Sequence, residues 1–107
     1  MKDWSAILAS LEDFEWDEGN IKKNWKKHRI SHIECEEIFF NNPIIVNKDT
    51  PHSPGEDRYF VLGKTDTDRL LFIVFTVRGT KIRIISARDM SRKERRAYEH
   101  TQEDTQV

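Results

Sequence analysis

Apolar residues recur along this chain with two periods, one typical of helices and one typical of strands. Near the start, four of them have the spacing of one helical face and predict a short amphipathic helix: Trp4, Ile7, Leu8 and Leu11. A helix of this length is marginal by itself, so it needs a surface to dock on. Phe14–Trp16 then alternates apolar and polar positions, which predicts a short strand.

A first helix of the main domain is predicted after Asp17, a residue type that favours the N-cap position. Ile21, Trp25 and His28 lie on one face of this helix, and four lysines occupy the opposite side. The helix is predicted to end at Arg29–Ile30. These positions indicate an amphipathic helix with Trp25 on its apolar face.

A second helix is predicted from Ser31, because Ser31 and Glu34 have the spacing of a capping box. Asn41–Pro43 is the expected stop, and Ile44–Val46 follows as a short extended segment. The apolar contacts of this helix are expected from Ile33, Cys35, Ile38, Phe39 and Phe40.

The second half of the chain predicts strands. Arg58–Leu62 is a strand that is broken at Gly63. Leu70–Val77 is apolar on both faces apart from one threonine, so it is expected to be central in the sheet. A glycine-containing turn at residues 78–80 joins it to a returning strand, Lys81–Ala87.

A final helix is predicted from Ser91 to about His100, because Ser91 and Glu94 repeat the capping-box spacing. Together the elements predict an α+β fold built on a small antiparallel β-sheet. The predicted organisation is a single domain at residues 14–100, with an N-terminal extension at 1–13 and a polar tail at 101–107.

Composition narrows the class of protein. A length of 107 residues predicts one compact domain. The chain is 36% hydrophobic and 35% charged, which predicts a soluble domain with a small core and a shallow surface site. No apolar run is long enough to span a membrane, and no signal peptide is recognised. The single cysteine, Cys35, cannot form an internal disulfide and favours a cytoplasmic location.

The net charge of −1 hides an asymmetry. Residues 1–57 have seven Lys and Arg against twelve Asp and Glu, whereas residues 58–107 have eleven against seven. All eleven cations of the second half lie between Arg58 and Arg96. This segment could attract a polyanion, although solvated surface charge explains it equally well.

Several kinds of site are disfavoured because their residue patterns are missing. One cysteine and four scattered histidines offer no zinc-binding spacing, and neither a phosphate-binding glycine loop nor a nucleophile elbow is present. No metal or cofactor is therefore predicted. Cys35 lies among hydrophobic residues, which favours core packing over a nucleophilic role.

The informative residues are arginines on and beside the predicted strands: Arg58, Arg78, Arg83 and Arg88. Arg83 interrupts a run of isoleucines, so its strand face should be open to solvent or paired with an anion. The planar guanidinium donates two parallel hydrogen bonds, a geometry that suits phosphate. The alternative is that these arginines pair within the chain, with Glu56, Asp57 or Asp89.

Several motifs resemble the BrnT family of bacterial toxins. They are Phe14-Glu15-Trp16-Asp17, Asn24-x-x-Lys27-His28, Arg83-Ile84-Ile85-Ser86-Ala87-Arg88 and Glu94-Arg95-Arg96-x-Tyr98. The resemblance covers about residues 14–99. It implies a RelE-like ribonuclease fold in which two N-terminal helices pack on a small antiparallel sheet that a C-terminal helix follows. It also implies a type II toxin-antitoxin pair, in which a BrnA-like antitoxin neutralises the toxin and binds operator DNA.

The chain departs from the family pattern at three places. Arg29 stands where glycine is common, Cys35 stands where alanine is common, and Asp89–Met90 replaces small or basic residues. Asp89 is next to Arg88 and could neutralise it.

The resemblance implies an endoribonuclease that inhibits translation and growth. We expect it to act without a metal ion, with the ribose 2′-hydroxyl attacking the adjacent phosphate, and Arg58, Arg83 and Arg88 stabilising the charge. Arg83 and Arg88 are an odd number of positions apart, so they share a cleft only if the strand ends or bulges near Ala87. The candidates for proton transfer are His28, Tyr98 and Glu56.

A cationic rim is expected to guide the RNA backbone, with these members: Lys26, Lys27, Arg78, Lys81, Arg92, Arg95 and Arg96. The expected partners are RNA and the antitoxin, in a dimer or heterotetramer, with operator DNA bound only through the antitoxin and no membrane. Two alternatives stay open. One is a noncatalytic RNA- or ribosome-binding module. The other is a protein-interaction module that docks an acidic partner helix on the basic face formed by the cations between Arg58 and Arg96.

Overall fold

The computed structural model describes residues 13–48 and 58–105. Within them the elements in chain order are β1 Asp13–Glu15, α1 Glu18–His28, α2 His32–Glu37, β2 Ile45–Lys48, β3 Tyr59–Lys64, β4 Leu70–Arg78, β5 Lys81–Asp89 and α3 Arg92–Thr105. The amphipathic helix predicted at Trp4–Leu11 lies outside the described residues. No helix in these two ranges is both long and apolar enough to cross a membrane.

The five strands form one sheet in the order β1-β5-β4-β3-β2, so β4 is central, as its two-sided apolar pattern predicts. Strands β2 to β5 pair antiparallel. β1 instead runs parallel to β5, with Phe14 opposite Ile82. The α+β class is confirmed, but the prediction of an antiparallel sheet was wrong at this edge. The direction of β1 depends on its pairing with a strand more than sixty residues away, which the local pattern does not encode.

The helix ends follow the local signals. The carboxylate of Asp17 caps α1 by accepting a 2.8 Å hydrogen bond from the backbone N–H of Gly19. α1 ends at Arg29, which has the left-handed conformation, with φ 54°. Both predicted capping boxes are present, Ser31 with Glu34 and Ser91 with Glu94. α3 is longer than predicted and continues to Thr105.

The face of α1 that packs on the domain differs from the predicted apolar face. Asn24 is the buried residue of this helix, whereas Trp25 is 48% exposed and His28 is exposed. Asn20 donates a hydrogen bond from Nδ2 to the backbone oxygen of Ile84 in β5 at 3.3 Å. The Asn20 side chain therefore links α1 to the sheet, a contact that hydrophobic periodicity alone did not reveal.

The main core lies on one side of the sheet, which we call the core face. Its buried side chains include Ile30, Cys35 and Ile38 from the helical segment and Tyr59, Val61, Leu71, Ile73, Phe75, Ile82 and Ile84 from the strands. Two residues predicted to join them, Ile33 and Phe40, are 58% and 77% exposed. α2 has only six residues and presents one narrow side to the sheet.

Gly63 lies within β3 and does not end the strand. A Cβ atom at this position would be 3.0 Å from the Cβ of Ile38 and 3.3 Å from its backbone oxygen. The glycine therefore allows the end of α2 to pack closely on the sheet, and the prediction of a break at Gly63 was wrong.

The opposite side of the sheet carries a smaller cluster of Leu62, Met90 and Tyr98. Tyr98 is fully buried, and its hydroxyl donates a 2.6 Å hydrogen bond to the backbone oxygen of Pro43. α3 therefore covers the end of this side that is near Leu62.

Candidate functional site

A bulge in β5 decides which arginines share a face. The register between β4 and β5 skips Ile85, which has no partner. Arg83 and Arg88 pair with Thr76 and Phe72, which are four positions apart in β4. Residues four apart in a regular strand lie on the same face, so Arg83 and Arg88 also share that face. The irregularity that their odd spacing requires is therefore present.

Arg58 lies on the same side of the sheet. Tyr59 belongs to the core face, and Phe60 stacks on Phe72, which pairs with Arg88. Because side chains alternate along a strand, Arg58 shares the face of Phe60. We call this side of the sheet the arginine face, defined by Arg58, Arg83 and Arg88.

Arg58 and Arg83 flank one residue of the central strand. Tyr59 pairs with Phe75, and one further step of the same register puts Arg58 opposite Thr76, which pairs with Arg83 on its other side. The two arginines are thus two strand spacings apart, about 10 Å, a span that two long side chains can close on one phosphate. The Nε atom of Arg58 is buried and has no hydrogen-bond partner in the described structure. This donor is therefore not taken up by another group of the described residues.

The carboxylates near Arg83 are at the limit of ion-pair distance. Glu15 is opposite Arg83 in the β1–β5 register, with its Oε1 atom 3.9 Å from Nη1 of Arg83. Oδ2 of Asp17 is 3.9 Å from Nη2 of Arg83. Hydrogen bonds are much shorter than this, so the guanidinium donors of Arg83 are not taken up by these carboxylates.

Arg88 is held much more firmly. Its guanidinium donates two hydrogen bonds to the carboxylate of Glu94, at 2.8 and 2.9 Å, and lies 4.0 Å from the centroid of the Phe72 ring. The bond from Arg88 lowers the pKa of Glu94, although burial acts in the opposite direction. Glu94 therefore neutralises Arg88 and also caps α3.

The expectation that Asp89 could neutralise Arg88 was wrong. Side chains of adjacent strand residues alternate, and the carboxylate of Asp89 pairs instead with Arg69, at 2.9 Å from Nε and 3.1 Å from Nη2. This bond lowers the pKa of Asp89. Arg69 also donates to the backbone oxygens of His28 and Arg29, each at 2.9 Å. Arg69 thus ties the end of α1 to β5.

The predicted proton-transfer residues are not brought together in the described structure. Tyr98 is on the side of the arginine face, in the cluster with Leu62 and Met90. The hydroxyl of Tyr98 bonds to Pro43, and burial raises the pKa of Tyr98 to about 12. His28 is exposed at the end of α1, on the side of the Arg69–Asp89 pair, where it helps to lower the pKa of Asp89. Glu56 lies outside the described residues.

The predicted RNA-binding cations are exposed and lie on three parts of the fold: Lys26 and Lys27 on α1, Arg78 and Lys81 beside the β4–β5 turn, and Arg92, Arg95 and Arg96 on α3. Arg78 and Lys81 pair with each other and have the strand parity of Thr76 and Arg83, so they extend the arginine face. Arg95 lines a surface pocket of about 370 Å³ together with Arg69 and Asp89.

Other kinds of chemistry have less support. Burial raises the pKa of Cys35 to about 12, so its thiol is protonated and not a nucleophile near neutral pH. Among residues 13–48 and 58–105, no three His, Cys, Asp or Glu side chains are grouped to hold a metal ion. Residues that sequence reasoning did not assign to the site include Glu15 and Phe60. Glu15 lies within the Phe14-Glu15-Trp16-Asp17 motif, but the roles of both residues depend on strand pairing, which no motif encodes.

The chain is similar to known ribonuclease toxins. Residues 16–94 match the family described as the ribonuclease toxin, BrnT, of type II toxin-antitoxin systems. The fold is similar to the crystal structure of the Brucella abortus ribonuclease toxin BrnT, with a TM-score of 0.55 and 19% sequence identity. That similarity covers 75% of this chain and 97% of the Brucella chain. No curated protein matches the sequence.

Proposed function

This chain belongs to the BrnT family of ribonuclease toxins of type II toxin-antitoxin systems, and we propose that it is an endoribonuclease that cleaves RNA on the arginine face without a metal ion. The observation that carries the proposal is the position of Arg58 and Arg83. Continued by one residue, the β3–β4 register puts Arg58 opposite Thr76, which pairs with Arg83, and within the described residues neither arginine makes an ion pair shorter than 3.9 Å.

In the proposed reaction, the 2′-oxygen of a ribose forms a bond to the adjacent phosphorus while the bond from phosphorus to the 5′-oxygen breaks. The products are a 2′,3′-cyclic phosphate and a 5′-hydroxyl. Arg58 and Arg83 donate hydrogen bonds to the nonbridging oxygens, whose negative charge increases in the transition state. Arg78 and Lys81 add positive potential on the same face and attract the RNA backbone.

Glu15 is our proposed proton acceptor. It faces Arg83 across the β1–β5 pair, and its side chain is 40% exposed, so a 2′-hydroxyl can approach it. A carboxylate beside a bound phosphate can accept the proton of that hydroxyl, and the leaving 5′-oxygen takes a proton from water. Glu56 remains a second candidate from the sequence.

Cleavage of a labelled single-stranded RNA by the purified protein in the presence of EDTA tests this proposal. We expect Arg58→Ala and Arg83→Ala each to lower the cleavage rate by about a hundredfold, as loss of a transition-state donor does. Lys23→Ala, at an exposed lysine on α1, is the matched control and should cleave like the wild type. If both arginine variants cleave RNA at a rate within about threefold of the wild type, Arg58 and Arg83 are not the catalytic arginines. Salt-sensitive RNA binding without cleavage products would favour the noncatalytic RNA-binding alternative.

We propose that the partner is a BrnA-like antitoxin that neutralises the toxin and links the complex to operator DNA. In this proposal the toxin acts on RNA in the cytoplasm and inhibits translation, and its RelE-like topology and its assembly as a dimer or heterotetramer remain predictions. Expression of this protein alone should stop bacterial growth and cause RNA degradation. Co-expression with the neighbouring reading frame should restore growth and leave the RNA intact. Growth arrest that the neighbouring protein does not relieve would contradict the partner assignment.

A further inference from the structure

Phe60 ends a row of stacked groups on the arginine face. The rings of Phe60 and Phe72 are stacked, with centroids 5.5 Å apart and an interplanar angle of 24°. The guanidinium of Arg88 lies 4.0 Å from the centroid of Phe72. The row therefore passes from β5 through β4 to β3. In the described structure Phe60 has no aromatic or cationic partner other than Phe72, and it is only partly buried.

Two polar residues lie beside Phe60. Arg58 is two positions before Phe60 on the same face, about 6.6 Å along the strand, a distance that one ribose can bridge. Asn47 in β2 pairs directly with Phe60 and is exposed. An aromatic ring, a guanidinium and a side-chain amide are the groups that proteins use for the base, the phosphate and the base edge of an unpaired nucleotide.

We propose that Phe60 is a stacking platform for one unpaired base of the RNA, with Arg58 on the phosphate of that nucleotide and Asn47 on the edge of the base. This inference rests on the proposed function and adds a substrate class to it, namely single-stranded RNA. A base within a duplex cannot offer its face to Phe60, so the same sequence in double-stranded form should be a poor substrate. The cation two residues away favours a nucleotide over an apolar protein segment at this position.

The platform is tested with three variants of the full chain. Phe60→Leu keeps an apolar side chain but removes the aromatic face, and Phe60→Trp keeps an aromatic face. Phe40→Leu is the matched control, because Phe40 is 77% exposed and follows α2, outside the arginine face. We expect Phe60→Leu to raise KM for single-stranded RNA cleavage about tenfold with a smaller change in kcat, Phe60→Trp to restore KM, and Phe40→Leu to behave as wild type. Thermal melting of each variant checks that it is folded.

A second substrate separates base stacking from general damage to the site. It is the same RNA with one abasic ribonucleotide beside the cleaved phosphate. If Phe60 stacks on that base, Phe60→Leu should have little further effect on the abasic RNA. If Phe60→Leu raises KM equally for both RNAs, the platform proposal is overturned, because the lost contact would then not involve the base.

Binding is measured separately with the all-2′-deoxy strand of the same sequence, which cannot be cleaved because it has no 2′-hydroxyl. If the wild type cleaves no RNA, the proposed function fails, and weaker binding of the deoxy strand by Phe60→Leu still supports the platform. If the wild type cleaves RNA and Phe60→Leu has unchanged KM and binding, the platform fails and the proposed function stands. If Phe60→Leu binds RNA like the wild type but captures the antitoxin more weakly, this surface is a protein interface, and the inference is overturned.

Discussion

Arg83 and Arg88 lie on the same face of β5, but only Arg88 is held by a short ion pair. The guanidinium of Arg88 makes two hydrogen bonds to Glu94 at 2.8 and 2.9 Å, whereas Glu15 and Asp17 are each 3.9 Å from Arg83. A guanidinium bonded to a carboxylate must give up that pair before it can bind a phosphate in the same way. The two arginines should therefore contribute unequally to RNA cleavage.

Arg83→Ala should lower the single-turnover rate of RNA cleavage about a hundredfold, and Arg88→Ala should lower it about tenfold or less. The ranking follows from the free donors of Arg83 and the paired donors of Arg88. Rates measured at saturating protein separate this effect from weaker RNA binding. Equal losses in the two variants would mean that Arg88 leaves Glu94 when RNA binds, and would contradict the ranking.

Stability should fall in acid because two carboxylates are bonded to arginines. Arg69 and Arg88 lower the pKa values of Asp89 and Glu94. A carboxylate with a lowered folded-state pKa stabilises the fold above its unfolded-state pKa, near 4, and this contribution is lost as the pH falls through the folded-state value. The free energy of unfolding, from urea titrations, should be nearly constant from about pH 7 to pH 5 and then decrease.

Two variants identify the source of that acid dependence. Asp89→Asn and Glu94→Gln should each make the decrease below about pH 5 less steep, because each removes one titrating group with a lowered pKa. Glu18→Gln, at an exposed carboxylate of α1, is the control. An acid slope that neither Asp89→Asn nor Glu94→Gln changes would show that other groups control it.

The thiol of Cys35 should be unreactive in the folded protein. Cys35 is fully buried, and burial raises its pKa to about 12 from an ordinary value of 9.0. Because the thiolate is the reactive form, iodoacetamide at pH 7.5 should modify the native protein much more slowly than the urea-unfolded protein, as mass spectrometry can measure. Cys35→Ala should retain RNA cleavage. Rapid modification of the native protein would contradict the buried position.

Arg69 should be a major determinant of stability although it is not part of the arginine face. It bonds to Asp89 and to the backbone oxygens of His28 and Arg29, and its side chain is only 28% exposed. Arg69→Gln should lower the free energy of unfolding by about 2 kcal/mol, because a carboxylate and two carbonyls lose charged donors. A double-mutant cycle with Asp89→Asn should show coupling between the two sites. Strictly additive losses would argue against a direct pair.

Arg29→Gly should stabilise the protein. Arg29 has φ 54°, a conformation in which glycine has no Cβ penalty. The gain should be about 0.5–1 kcal/mol in the free energy of unfolding, reduced by the loss of the contact between the Arg29 guanidinium and the Trp25 ring at 5.4 Å. Arg29→Ala is the matched control, since it removes the same contact but keeps a Cβ, and it should give no gain.

Much of the fold was predictable because its signals are local. Ser31 with Glu34 and Ser91 with Glu94 begin helices, the turn at Gly79 joins two strands, and the two-sided apolar run of β4 marks a central strand. Each of these signals depends on residues within one turn or one strand of each other. The family was also identifiable, because its motifs are short segments of the sequence itself.

The site was predictable only in part. The sequence identified Arg58, Arg83 and Arg88 as strand arginines and showed that the last two need a bulge to share a face. It did not show which residue is skipped, and it favoured Asp89 over Glu94 as the neighbour of Arg88. Strand alternation turns Asp89 away from Arg88, and α3 brings Glu94 back to it.

By itself, the sequence determined the three helices of the described residues and most of the strands, the family, and the residue types available for binding a phosphate. The tertiary structure decided the direction of β1, the side of α1 that packs, the partner of each arginine, and the pairing of Phe60 with Asn47. The physical reason is range: capping and periodicity act between near neighbours, whereas strand register and ion-pair choice depend on packing between segments far apart in the chain.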